Sequence, residues 1–149
     1  MKMFNYFLVF ILLITIFIFL FLSKSFAGSL KARKTHLVLR GKYIVTGLGK
    51  CADCHTPIDM HGRPIMNKWL QGAVLGLKPI HPIPFWAKKS SDIAGLPKGW
   101  TKVDMIRFLE SGLDPRGKYA RPPMPAYRMK RRDALAVTYY LLSLKNKKK

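Results

Sequence analysis

Acid is scarce in this sequence. Seven Asp and Glu residues stand against 27 Lys and Arg in 149 residues, a formal net charge of +20. Residues 1–27 hold two of the lysines and no acid, so the imbalance belongs to residues 28–149. Such an excess calls for an anionic partner: nucleic acid, anionic lipid or an acidic protein face. No nucleic-acid recognition module is visible and the N-terminal segment directs the chain to a membrane, which leaves nucleic acid out. Cysteine is scarcer still, two residues in all, too few for a disulfide framework. Alternating strand runs and a βαβ pattern are also missing, which removes the setting a thioredoxin-like dithiol needs.

What is present begins with a long apolar run. Met3–Leu22 carries no charge and follows Lys2, as in a secretory leader or a spanning helix. Its length favours an anchor, whereas Ser25-Phe26-Ala27 offers a signal peptidase its small residues, so both fates stay open for residues 1–27. We expect a basic linker over 28–34, one domain over 35–145 and a basic tail over 146–149.

Within the domain, Leu37, Gly41, Ile44 and Leu48 recur at helical spacing, with Thr35 as N-cap and Gly47 or Gly49 to end the helix just before Cys51. From Thr56 to Gly99 six prolines and several glycines predict irregular chain, with one short helix around Asn67–Leu75. Thr101-Lys102-Val103-Asp104 is a capping box opening a helix whose stripe is Val103, Met105, Ile106 and Leu109, ended by Gly112. A last helix runs from about Lys130 to Leu144, with Leu135, Tyr139 and Leu142 on one face and Ala136 and Tyr140 beside them. It should cross the first helix where Gly41 lets Tyr139 or Tyr140 approach the backbone. The class is all-α, with three to five helices and an N-terminal hydrophobic helix. Helices this few, around an irregular middle, make a poor core unless something else sits at the centre.

Both cysteines lie in "GKCADCH", residues 49–55. A bridge between them would close too small a loop to stabilise much. Structural zinc would need two of His36, His55, His61 and His81 at spacings unlike the familiar fingers. Attachment of a c-type haem uses all three residues: each thiol adds across a porphyrin vinyl group, and His55 then lies under the iron. The cofactor expected is one covalent haem c.

The residue opposite His55 decides what the haem does, because His with Met gives a six-coordinate electron carrier and His alone leaves an open site. Met60 and His61 are too close in sequence to round the ring, and Met105 reads as core filler in its helix. Met66 and His81 stay open and Met129 is second choice. Met124 stands out in "ARPPMPAY", where Pro122, Pro123 and Pro125 stiffen the chain and remove N–H donors.

"RGKYIVTGLGKCADCHTP", "GWTKVDMIRFLESGLDPRGK" and "RPPMPAYRMKRRDALAVTYYLLSL" together resemble class I cytochromes c. The likeness is nearest to the haem modules of cytochrome subunits of periplasmic alcohol, aldehyde and sugar-acid dehydrogenases, and covers about Leu37 to Leu144. It implies the class I cytochrome c fold around a covalent haem, with Cys51 and Cys54 as thioether cysteines, His55 as proximal ligand and Met124 as distal ligand. The segment "WAKKSSDIAGLPKGW" departs from that family, and its subunits commonly carry three haems where this chain has one motif.

The expected function is a periplasmic or membrane-tethered single-electron carrier between a dehydrogenase or quinol-oxidising complex and a terminal acceptor. The rival is a haem protein with an open sixth site, a peroxidase or gas sensor. Leu77, Ile80, Ile83, Phe85, Trp86, Trp100, Ile106, Leu109 and Tyr127 are expected to wall the ring, with the Trp100 indole N–H toward a propionate. Arg116, Lys118, Arg121, Arg128, Lys130, Arg131 and Arg132 bracket Met124. Three of them oppose the macrodipole of the last helix, with only Asp133 in partial offset, so this face is expected to dock on an acidic redox partner.

Overall fold

In the computed structural model the backbone is described for residues 2–145 and the side chains for 12–19 and 28–145. The chain forms two units, one ending at His36 and the other starting at Leu37. Four α-helices carry the fold: α1 (Lys2–Tyr43), α2 (Cys51–His55), α3 (Lys102–Ser111) and α4 (Arg131–Ser143). A π-helical turn, Ile44–Leu48, follows α1 and a 3-10 turn spans Met66–Lys68. Among the described residues there are three isolated bridges and no strand, as an all-α class requires.

Thr35 does not cap a helix. It lies within α1 and its Oγ1 donates to the Lys31 carbonyl at 3.1 Å. Leu30–Lys34 are strong helix formers that give the chain no reason to start afresh. The expected signal or anchor over Met3–Leu22 falls largely on side chains outside the described residues; among those described, no helix is long and apolar enough to cross a membrane.

The end of the first helical run is as expected. Gly49 N–H closes onto the Ile44 carbonyl at 2.7 Å, and Lys50 turns the chain in the left-handed region, φ 46°, so α2 starts at Cys51. The expected helix over Asn67–Leu75 shrinks to the 3-10 turn because Leu70 and Gly72 take φ 58° and 85°, reversing the chain. Leu70 is thereby fully buried against the helices.

The capping box of α3 is complete: Thr101 Oγ1 accepts from Asp104 N, and Asp104 Oδ2 accepts from Thr101 N. Gly112 ends the helix at φ 76°. The buried stripe is Met105, Ile106, Phe108 and Leu109, while Val103, expected inside, is 47% exposed. At 100° per residue Val103 points away from the centre of that stripe.

In α4 the buried face is Ala134, Ala136, Val137, Thr138, Tyr140 and Leu141; Leu135, Tyr139 and Leu142 are only half-buried. The face is rotated from the expected one because the crossing with α1 centres on Ala136. A Cβ at Gly41 would fall into the Ala136 carbonyl and within 2.7 Å of the Tyr140 Cβ. Tyr140 therefore makes the crossing, and Tyr139 lies out under the Lys102 ammonium, 5.4 Å from its ring centre. Arg40 adds an ion pair to Asp133 across the same helices, 2.6 Å.

Candidate haem site

The site is built on α2, which carries both thiols and the imidazole within one turn and a half. Cys51 and Cys54 are free, half-exposed thiols three residues apart, so they share one face of the helix. Burial pushes the Cys51 thiol up, against hydrogen bonding that lowers it.

His55 is buried, 7% exposed, and its Nδ1 lies 2.7 Å from the Ser91 carbonyl. A carbonyl only accepts, so Nδ1 carries the proton and Nε2 keeps its lone pair, the form a metal-binding imidazole needs. Burial lowers the His55 pKa while the Ser91 bond opposes it, which favours the neutral ring.

The irregular section from Thr56 to Gly99 is what supplies that carbonyl. Ser90 Oγ donates to the Cys54 carbonyl at 2.7 Å and accepts from Ala73 N at 2.8 Å; Gly72 N donates to the His55 carbonyl at 2.8 Å. Further out, Leu75 N meets Lys88 O at 2.9 Å and Trp86 Nε1 meets Leu77 O at 3.1 Å. Residues 72–91 thus form a closed loop whose base is fastened to the end of α2. Sequence reading missed this role for Ser90 and Ser91; a backbone carbonyl carries no residue signature.

Met124 is half-buried and packs against the core cluster, in a loop that runs on from a cis Pro122–Pro123 bond. Ala87 N donates to Pro122 O at 2.7 Å and Met129 N to Leu109 O at 2.9 Å, so the loop is tied both to the 72–91 loop and to α3. Tyr127 adds a third tie, its hydroxyl donating to the Gly49 carbonyl at 2.5 Å. Burial beside Cys51 holds the Tyr127 hydroxyl at a pKa of about 12, so it keeps its proton.

The other candidates fall into place around these. Met105 is buried core. Met60 is 92% exposed, Met66 66%, and His61 and His81 also stand exposed. Met129 is half-buried beside the core. Among the expected ring-wall residues, Ile106 and Leu109 sit inside the protein core; Trp86, Trp100 and Tyr127 are half-buried; Leu77, Ile80, Ile83 and Phe85 are exposed. Trp100 meets Phe108 edge-on at 5.1 Å.

The basic cluster is less uncompensated than its sequence suggests. Arg131 pairs with Glu110 at 3.2 Å and Arg116 with Asp114 at 2.7 Å; Arg128 lies over the Tyr119 ring and donates to the Tyr127 carbonyl. Lys118, Arg121, Lys130 and Arg132 are left exposed about the Met124 loop.

Two reduced thiols, an adjacent imidazole with its Nε2 lone pair available and a half-buried thioether in a stiff loop are a donor set that fits covalent haem. No protein-family model matches the chain. Three relatives are informative. The diheme cytochrome c-type protein of Cereibacter sphaeroides is 33% identical over 76 residues, 51% of this chain and 23% of that protein. The cytochrome c subunit of the quinone alcohol dehydrogenase of Gluconobacter oxydans is 33% identical over 84 residues, 50% of this chain and 16% of the subunit. The cytochrome subunit of fructose dehydrogenase of Gluconobacter japonicus is 28% identical over 87 residues, 56% of this chain and 16% of the subunit. The chain therefore spans less than a quarter of the length of these relatives. Over about half its own length it is similar to a diheme cytochrome c-type protein and to the cytochrome c subunits of dehydrogenases.

Proposed function

We propose that the chain is a single-electron carrier with one haem attached through Cys51 and Cys54 and held between His55 and Met124. The observation that carries this reading is the His55 ring, buried beside two free thiols and fixed in its metal-binding tautomer by Ser91 O. An iron with imidazole and thioether ligands supplies a one-electron couple without ligand exchange. The protein's part is to keep both donors still. Ser91 holds the imidazole plane, Ser90 and Gly72 hold the end of α2, and the Pro122-Pro123-Met124-Pro125 run limits how far the thioether can move. The two cysteines of these 149 residues, both in the one motif, support a single haem.

The apolar leader and the attachment motif support a location on the periplasmic side of the bacterial inner membrane, anchored or released by cleavage after Ala27. Mass spectrometry of the mature protein reads both the haem adduct and the cleavage site. A mass lacking haem in protein matured in the periplasm sinks the reading.

The names of the relatives support a dehydrogenase complex as electron donor. Lys118, Arg121, Lys130 and Arg132 would meet an acidic face of the redox partner and speed encounter by steering. Electron-transfer rate should then fall as ionic strength rises. A rate indifferent to salt removes the docking face and leaves the haem assignment intact.

A further inference from the structure

Of the three ties on the Met124 loop, two are backbone to backbone and one is made by a side chain. Tyr127 is that side chain, and its acceptor, Gly49 O, sits two residues before the first cysteine. The acceptor is itself tied down by its own N–H. Gly49 N is bound to Ile44 O at 2.7 Å, and a Cβ at Gly49 would lie 3.2 Å from that carbonyl oxygen and 3.3 Å from Cys51 Sγ, so the segment packs closely on both.

The Cys51 thiol also points at Gly49 O, at 3.8 Å. A thioether has no S–H, so attachment would remove that weak donor and leave the Tyr127 hydroxyl as the side-chain donor to this carbonyl. The hydrogen bond would thus matter most in the mature protein. It spans 78 residues of sequence and joins the loop bearing one candidate ligand to the segment that presents the other.

We propose that Tyr127 is a positioning residue that latches the Met124 loop shut by its hydroxyl bond to Gly49 O. This rests on Met124 as the sixth ligand. Opening the loop to let another ligand reach the iron requires breaking this bond, so the latch sets how readily an external base displaces the thioether. Tyr127→Phe keeps the ring and its packing and removes only the donor.

The test is an imidazole titration of the oxidised, matured full chain, followed through the sulfur-to-iron charge-transfer band. Tyr127→Phe should bind imidazole about fivefold more tightly than the parent, the size of one neutral hydrogen bond, with its haem content unchanged. Tyr119→Phe, which alters an exposed tyrosine, should leave the affinity where it was. An affinity for Tyr127→Phe within twofold of the parent overturns the latch. Met124→Ala separates the two ideas: if the band survives that substitution the ligand assignment fails, whereas a band lost there with unaltered imidazole affinity in Tyr127→Phe condemns the latch alone. Should Tyr127→Phe not mature, the parent itself decides. A slowly exchanging Tyr127 hydroxyl proton with a cross-relaxation peak to the Gly49 α-protons supports the latch, and its absence overturns it.

Discussion

The two sides of the candidate haem site are built on opposite plans. On the His55 side the donor and both thiols sit on one short helix, and neighbouring chain is fastened to that helix by bonds from Ser90, Ser91 and Gly72. On the Met124 side the donor sits in a proline-stiffened loop that owes its place to three distant ties, from Ala87, Leu109 and Gly49. Both sides are tied over long stretches of sequence, 36 residues from His55 to Ser91 and 78 from Tyr127 to Gly49, but only on the first do the thiols and the imidazole share one short helix.

If that contrast is right, removing a donor should have unequal effects. His55→Ala is expected to have the largest, because it takes away the buried imidazole on which the His55 side is organised. Holoprotein recovered from the periplasm should fall to a small fraction of the parent level, read by haem stain against an antibody to the chain. Met124→Ala should mature with both thioethers intact, since attachment does not involve it. Its oxidised spectrum should turn high-spin and its reduction potential should drop, because a thioether favours the reduced iron. Equal holoprotein loss in the two variants would erase the distinction between the sides.

Ser90→Ala probes the fastening itself at smaller cost. The hydroxyl donates to Cys54 O and accepts from Ala73 N, so its loss leaves two half-buried backbone groups short of a partner. We expect about 1–2 kcal/mol of destabilisation in urea unfolding of the holoprotein, with the sulfur-to-iron band preserved. A loss of that band without a loss of stability would mean that Ser90 acts on the Met124 side after all.

The same contrast explains what could be read ahead of the structure. Signals that close within four residues were legible: the Thr101–Asp104 box, the Gly112 stop and the start of α4. Gly41 was legible too, because a glycine in an apolar helical stripe implies close approach, although which tyrosine it meets depended on the rotation of α4. What escaped was made by backbone or by distance. Ser91 O, the left-handed Leu70 and the Arg40–Asp133 pair, separated by 93 residues, have no local pattern. The overall cationic excess also concealed that Arg131 and Arg116 are spent on internal pairs.

A turn of the same construction occurs on both sides and permits the finest comparison. A loop with Asp at its start and a left-handed Gly three residues on follows α2 at Ile58–Pro64 and precedes the Met124 loop at Leu113–Tyr119. In each, the Asp Oδ1 accepts two backbone N–H groups at 2.9 Å, from His61 and Arg63 in the first and from Arg116 and Lys118 in the second. The Oδ2 atom pairs with an arginine, Arg63 or Arg116. The backbone N–H groups of Arg63 and Lys118 lead in holding the two carboxyls below the usual carboxylate range. A depressed folded pKa means that the stabilisation is present above the unfolded value and disappears as pH falls through the folded one.

Asparagine keeps the Oδ1 acceptor and removes the charge, so Asp59→Asn and Asp114→Asn should each be slightly less stable than the parent at neutral pH. The difference should shrink as pH drops below the ordinary carboxylate value of about 4 and close once pH has passed the lower folded value, where the parent carboxyl is neutral in both states. Both carboxyls lie at the surface, so solvent screens the effect and it is the smallest expected here. A matched pair of pH profiles would show the two loops to be equivalent turns. A larger loss for Asp114→Asn, accompanied by tighter imidazole binding, would instead place the second loop among the ties that hold Met124, and the Met124 side would then depend on charge as well as on distance.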